Sequence, residues 1–138
     1  LDRSVRQNET CVWIMDQAFN DRVFLRAKPF LPSFAPVVGL NRRWRCYKYN
    51  PSDIFRLHRD GAWAGSGLDE SGSLVADVYD GTCLSALTFL IYLTDDFDGG
   101  ATSFYTDDGA RRTSSFKPNT RGSVLCFYHG FHPLSPLH

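Results

Sequence analysis

No apolar run in this chain approaches the roughly 18 residues needed to cross a bilayer, and none of its stretches resembles a signal peptide. An excess of one charge is also missing: fifteen basic and fifteen acidic residues cancel, with a pI near 7.1. Bulk charge therefore gives no support for binding nucleic acid or an acidic membrane surface. The cysteines are few and scattered. Cys11, Cys46, Cys83 and Cys126 include no C-x-x-C pair, so a zinc site built on them is improbable. A chain of 138 residues does not need a disulfide to fold. Cys46 and Cys126 stand in strand-like runs and are expected to be buried free thiols. Internal repeats and low-complexity tracts are absent, and the length suits one domain with a real core. The first residue is Leu1 rather than Met, so localisation is not read from the sequence.

What is present begins with a helix. Asp16 is a candidate N-cap for a helix running to about Ala27, with Phe19, Val23 and Ala27 at i+4 spacing and Phe24 beside them. Lys28-Pro29 ends it, because the residue before proline is pushed out of helical geometry. From there the pattern turns to β. Trp44 to Tyr49 alternates, Asn50-Pro51-Ser52-Asp53 is a turn, and Ile54 to Asp60 reads as the next strand. The Gly-, Ser- and Asp-rich stretch 61–81 reads as a long surface loop of the kind that often serves as a lid or binding loop. Its Asp69, Glu70, Asp77 and Asp80 either favour a basic peptide or simply keep the loop solvated. Leu84 to Thr94 is the most apolar run and a central strand. A turn over Asp95–Gly100 leads to a short strand at Ala101–Tyr105, and Ser123–Tyr128 forms another after the Pro118–Gly122 turn. One helix followed by many short strands predicts a mainly β domain, an antiparallel sandwich or barrel.

The chemistry-bearing motif is His58-Arg59-Asp60. Side chains at i and i+2 of an extended segment share a face. A histidine and an aspartate so placed supply two thirds of the 2-His-1-carboxylate triad that binds non-haem Fe(II) and leaves open positions. Other readings of the local sequence fail. A kinase H-R-D requires an asparagine where Gly65 stands, and an EF-hand beginning at Asp96 requires glycine where Ala101 stands. Trp44 and Trp63 could contact a substrate, but packing is the expected role of each.

From Arg45 to His138 the chain resembles the prolyl 4-hydroxylase-like family of Fe(II)/2-oxoglutarate dioxygenases. The matching segments come in order: Tyr47-Lys48-Tyr49 and Phe55 to Asp60; Leu87 to Leu93 with the acidic turn to Gly99-Gly100 and Ala101-Thr102; and Pro118 through Gly122 to Phe127. The resemblance implies a double-stranded β-helix, or jelly roll, over a single domain 1–138 cut short at both ends and lacking its C-terminal strand. It implies metal ligation by His58, Asp60 and a distal histidine, for which Leu137-His138 fits best, with His132 and His129 as alternatives. It implies Fe(II) as cofactor and 2-oxoglutarate as co-substrate, with ascorbate a further candidate. Tyr49 matches a family tyrosine that reaches the far carboxylate of 2-oxoglutarate. Thr88 and Tyr92 share strand parity and become candidates for the same pocket if that face is inward. The basic residue that clamps this carboxylate in the family has no counterpart here, since Arg111, Arg112, Lys117 and Arg121 stand elsewhere. Weak co-substrate binding is therefore expected. The implied reaction converts 2-oxoglutarate to succinate and CO2 while hydroxylating a substrate, foremost a prolyl residue of a peptide or protein. The alternatives are the same chemistry on another acceptor, or a non-catalytic jelly-roll binding module.

Overall fold

Asp16 caps the helix as the sequence predicts: its carboxylate accepts the Phe19 backbone N–H at 2.9 Å. The computed structural model describes residues 7–32, 36–129 and 134–138. It is mainly β with one short N-terminal helix, and it divides into two units that interleave along the chain.

One unit comprises Asn8–Asn50 and Trp63–Leu84. It holds β1 (Glu9–Ile14), α1 (Gln17–Ala27), β2 (Arg43–Lys48), β3 (Gly67–Leu68) and β4 (Leu74–Val75). α1 ends where proline requires, passing into a single 3-10 turn at Lys28–Phe30. Its buried side is not the purely apolar stripe that the spacing suggests. Asn20 and Phe24 are buried, whereas Phe19 is 40% exposed and meets Trp44 edge-on at 6.0 Å. Asn20 earns that position through hydrogen bonds: its amide donates to the Leu40 carbonyl at 2.8 Å and its oxygen accepts the Trp44 indole N–H at 2.9 Å. β1 pairs antiparallel with β2, placing Cys11 opposite Cys46 and Trp13 opposite Trp44. The sequence pattern does not single out β1, because its residues are exposed or half-buried and its reason to be extended is the ladder it makes with a distant strand. All four cysteines are free, and Cys46 and Cys126 are half-buried rather than buried.

The stretch 61–81 is more ordered than a bare loop. Gly67–Leu68 and Leu74–Val75 pair as a two-residue ladder. Asp69 accepts the backbone N–H groups of Ser71 and Ser73, and Asp77 those of Tyr79 and Gly81. These two carboxylates close turns. Trp63 is 54% exposed, with the Arg45 guanidinium 4.5 Å from its ring centre, a cation–π packing role.

The other unit comprises Gln7, Pro51–Ala62 and Ser85–His138 among the described residues. Its strands are β5 (Leu87–Ile91), β6 (Thr102–Tyr105), β7 (Arg112–Phe116) and β8 (Val124–Tyr128). Their pairing is nested. β6 pairs with β7, β5 pairs with β8 around them, and outside both His58 exchanges two backbone hydrogen bonds with His138, at 2.8 and 3.0 Å. A single bridge joins Tyr105 to Leu137. Gly99 and Gly100 both adopt positive φ (69° and 62°), which lets the chain reverse before β6 at little steric cost. Ile54–Asp60, expected as a strand, is not a regular one: only isolated pairing occurs along it. The Phe55 ring stacks on the His58 ring at 3.8 Å. Residues three apart lie on opposite faces of a straight strand, so this contact requires a bend.

Candidate metal centre

The bend ends in an extended step at 58–60, and there the i, i+2 expectation holds. His58 Nε2 lies 3.3 Å from Asp60 Oδ1, and His138 Nε2 lies 3.6 Å from Asp60 Oδ2. The backbone exchange between His58 and His138 brings the distant histidine alongside. Among the described residues, His58, Asp60 and His138 form the one group of three such side chains whose ligand atoms all lie within 4.8 Å of one another. Of the alternatives for the distal ligand, His132 lies outside the described residues, and His129 is directed elsewhere, as shown below.

The ring orientations are set by backbone carbonyls. His58 Nδ1 lies 2.9 Å from the Arg56 carbonyl oxygen and His138 Nδ1 3.3 Å from that of Pro136. A carbonyl only accepts, so each Nδ1 carries a proton, and each ring turns its Nε2 to Asp60. Among the described residues, buried His58 Nε2 makes no hydrogen bond. Aromatic rings hold the two imidazoles: Phe55 stacks on His58, and Phe127 meets His138 edge-on at 4.6 Å.

Such a donor set fits a cation. Two ligands about 2.1 Å from one ion and at right angles are about 3 Å apart, close to the spacings seen. Two lone pairs and a carboxylate converging without a cation or proton between them would repel. Imidazole nitrogen with carboxylate oxygen, held on one side of an ion, is the donor chemistry of non-haem Fe(II). Without a metal, burial pushes the Asp60 carboxyl up, but the His138 and His58 imidazoles, with protons on Nε2 in place of a cation, and the Thr88 hydroxyl outweigh it and hold the carboxyl well below the usual carboxylate range. A folded-state value below the unfolded one gives stability that is fully present above the unfolded value, about pH 3.9, and lost as pH falls through the folded one. In the metal-free protein, the stability gap between wild type and Asp60→Asn is therefore expected to stay level from pH 7 to 5. It should shrink below about pH 4, read by urea unfolding at each pH.

The remaining predicted residues are placed as follows. Thr88 donates its hydroxyl proton to Asp60 Oδ2 at 2.6 Å. Tyr92 shares a hydrogen bond with Thr102 Oγ1 at 2.7 Å, and burial pushes its phenol up. Tyr49 belongs to the other unit, where it is 45% exposed just past β2. One contributor, Arg59, was not singled out by the sequence. Arg59, between His58 and Asp60, donates to the Ser135 carbonyl and pairs with Asp107 at 2.7 Å, which ties the H-x-D step to the segment carrying His138. His129, an alternative for the distal ligand in the sequence, instead accompanies Thr88, with its Nδ1 2.9 Å from Thr88 Oγ1. No protein-family model, no curated protein and no solved structure matches the chain.

Proposed function

We propose that this chain is an Fe(II)- and 2-oxoglutarate-dependent dioxygenase of the prolyl 4-hydroxylase-like family, and that its substrate is a prolyl residue in a peptide or protein. One observation carries the reading: two imidazole Nε2 atoms, each with its Nδ1 turned to a backbone carbonyl, converge on one carboxylate. The ordered segments from Tyr47 to Phe127 add the family and the substrate class. The nested pairing of β6–β7 inside β5–β8 inside His58–His138 supports the jelly roll, whose ribbon folds over itself in that order.

Fe(II) held by His58, Asp60 and His138 would supply the oxygen-activating redox chemistry that consumes 2-oxoglutarate and yields succinate and CO2. The chain's own contribution is geometric and electrostatic. The carbonyls of Arg56 and Pro136 keep both ligand tautomers correct. Asp60 provides the one negative charge in the ligand set. Phe55, Phe104 and Phe127 pack about the imidazoles and keep water from their edges. Tyr92 offers a hydroxyl for a co-substrate carboxylate.

Incubation with Fe(II), 2-oxoglutarate and a proline-containing peptide is expected to release succinate, with peptide-dependent stimulation and complete loss in His138→Ala. Stimulation by other acceptors but not by proline would replace the substrate class. Metal uptake with no succinate under any acceptor would make the chain a binding module and end the enzymatic reading.

A further inference from the structure

The cluster at Asp60 does not stop at its three side chains. Thr88 Oγ1 lies 2.6 Å from Asp60 Oδ2 and 2.9 Å from His129 Nδ1, and His129 Nε2 lies 2.9 Å from Ser85 Oγ. A hydroxyl has a single proton, and an ionised carboxylate only accepts. Thr88 therefore donates to Asp60 and must accept from His129 Nδ1–H. In the neutral imidazole that leaves Nε2 as the acceptor of the Ser85 hydroxyl. Every hydrogen bond in the chain points one way, from Ser85 through His129 and Thr88 to the carboxylate.

His129 is built into this position. It is 6% exposed, and its backbone N–H donates to the Ala86 carbonyl at 3.0 Å, one step beyond the Leu87–Tyr128 pair of the β5–β8 ladder. Both of its ring nitrogens are satisfied, and neither faces His58 or His138. That geometry removes it from the ligand set and gives it a different task.

We infer that Thr88 and His129 are positioning residues for the metal ligand Asp60: their hydrogen-bonded relay fixes rotation of the carboxylate so that both oxygens face the imidazole edges. The inference rests on the reading of His58, Asp60 and His138 as a metal site and adds what makes that site stiff. Partners behind a ligand that orient it typically govern metal affinity by about 10- to 100-fold.

The test is Co(II) titration of the chain, followed by its visible d–d absorption, with thermal melting of each metal-free variant as a control for folding. Thr88→Val is expected to weaken Co(II) binding about 10- to 100-fold, and Thr88→Ser to restore it. The histidine is probed by two amides. In His129→Asn the side-chain NH2 takes the place of Nδ1–H and keeps the donor to Thr88. In His129→Gln the NH2 lies at the Nε2 position and that donor is lost. Affinity is expected to survive the first and fall in the second, with no further fall when His129→Gln is added to Thr88→Val. Wild-type affinity in a folded Thr88→Val overturns the relay, as does equal loss in the two His129 variants. Lower melting temperatures with unchanged affinity likewise reduce these residues to packing. A wild-type chain that takes up no Co(II) sinks the metal site itself, and that result appears before any variant is made.

Discussion

Asp60→Ala is expected to abolish measurable metal uptake, the largest single effect on function in this chain. The substitution removes the only carboxylate of the His58, Asp60 and His138 group and leaves two imidazoles. It also strips the Thr88 hydroxyl of its acceptor at 2.6 Å. Residues that merely orient ligands cost about 10- to 100-fold, so a direct ligand carrying the charge must cost more than about 100-fold. Asp107→Ala is the matched control. Asp107 pairs with Arg59 at 2.7 Å, but its side chain is 93% exposed, and exposed ion pairs contribute about 0–1 kcal/mol. Fe(II) or Co(II) titration of both variants checks the prediction. Equal affinities for wild type and Asp60→Ala would remove the foundation of the functional reading.

The second large effect concerns stability. Asn20, 2% exposed on α1, satisfies the Leu40 carbonyl and the Trp44 indole N–H together. Asn20→Ala leaves a donor and an acceptor without partners. Each orphaned buried group costs about 1–3 kcal/mol. Half-burial of Trp44 and Leu40 places each at the lower end of that range, so a loss of about 2–3 kcal/mol is expected. For a domain of this size that lowers the melting temperature by roughly 10 °C. Gln17→Ala on the same helix, whose amide meets Asp21 at an exposed site, is expected to change stability by less than about 0.5 kcal/mol. Calorimetry of the two variants distinguishes them. A small effect from Asn20→Ala would mean that water replaces both partners.

Asn20 also shows where reading the sequence falls short. A polar residue on a helix reads as solvent-facing, and the spacing of Phe19, Val23 and Ala27 draws the buried stripe too far to one side. Only the approach of Leu40 and Trp44 gives Asn20 its partners, and both come from beyond the helix. β1 fails for a related reason, since its ladder with Arg43–Lys48 is a long-range pairing. Ile54–Asp60 departs in the opposite sense: the turn at Asn50–Asp53 points to a strand after it, whereas the contact of Phe55 with His58 requires a bend. By contrast α1, its Asp16 cap and its end at Lys28-Pro29 were legible, because caps and proline act within a few residues.

The candidate site divides along the same line. By itself the sequence determined that His58 and Asp60 share a face, since the alternation of an extended step is a property of adjacent residues. Its resemblance to a known family nominated His138. Tertiary structure alone decided that His138 reaches them, through the backbone exchange with His58, and that Thr88 and His129 stand behind the carboxylate. Hydrogen bonds between distant segments depend on how strands register against one another, and local preference cannot set that register.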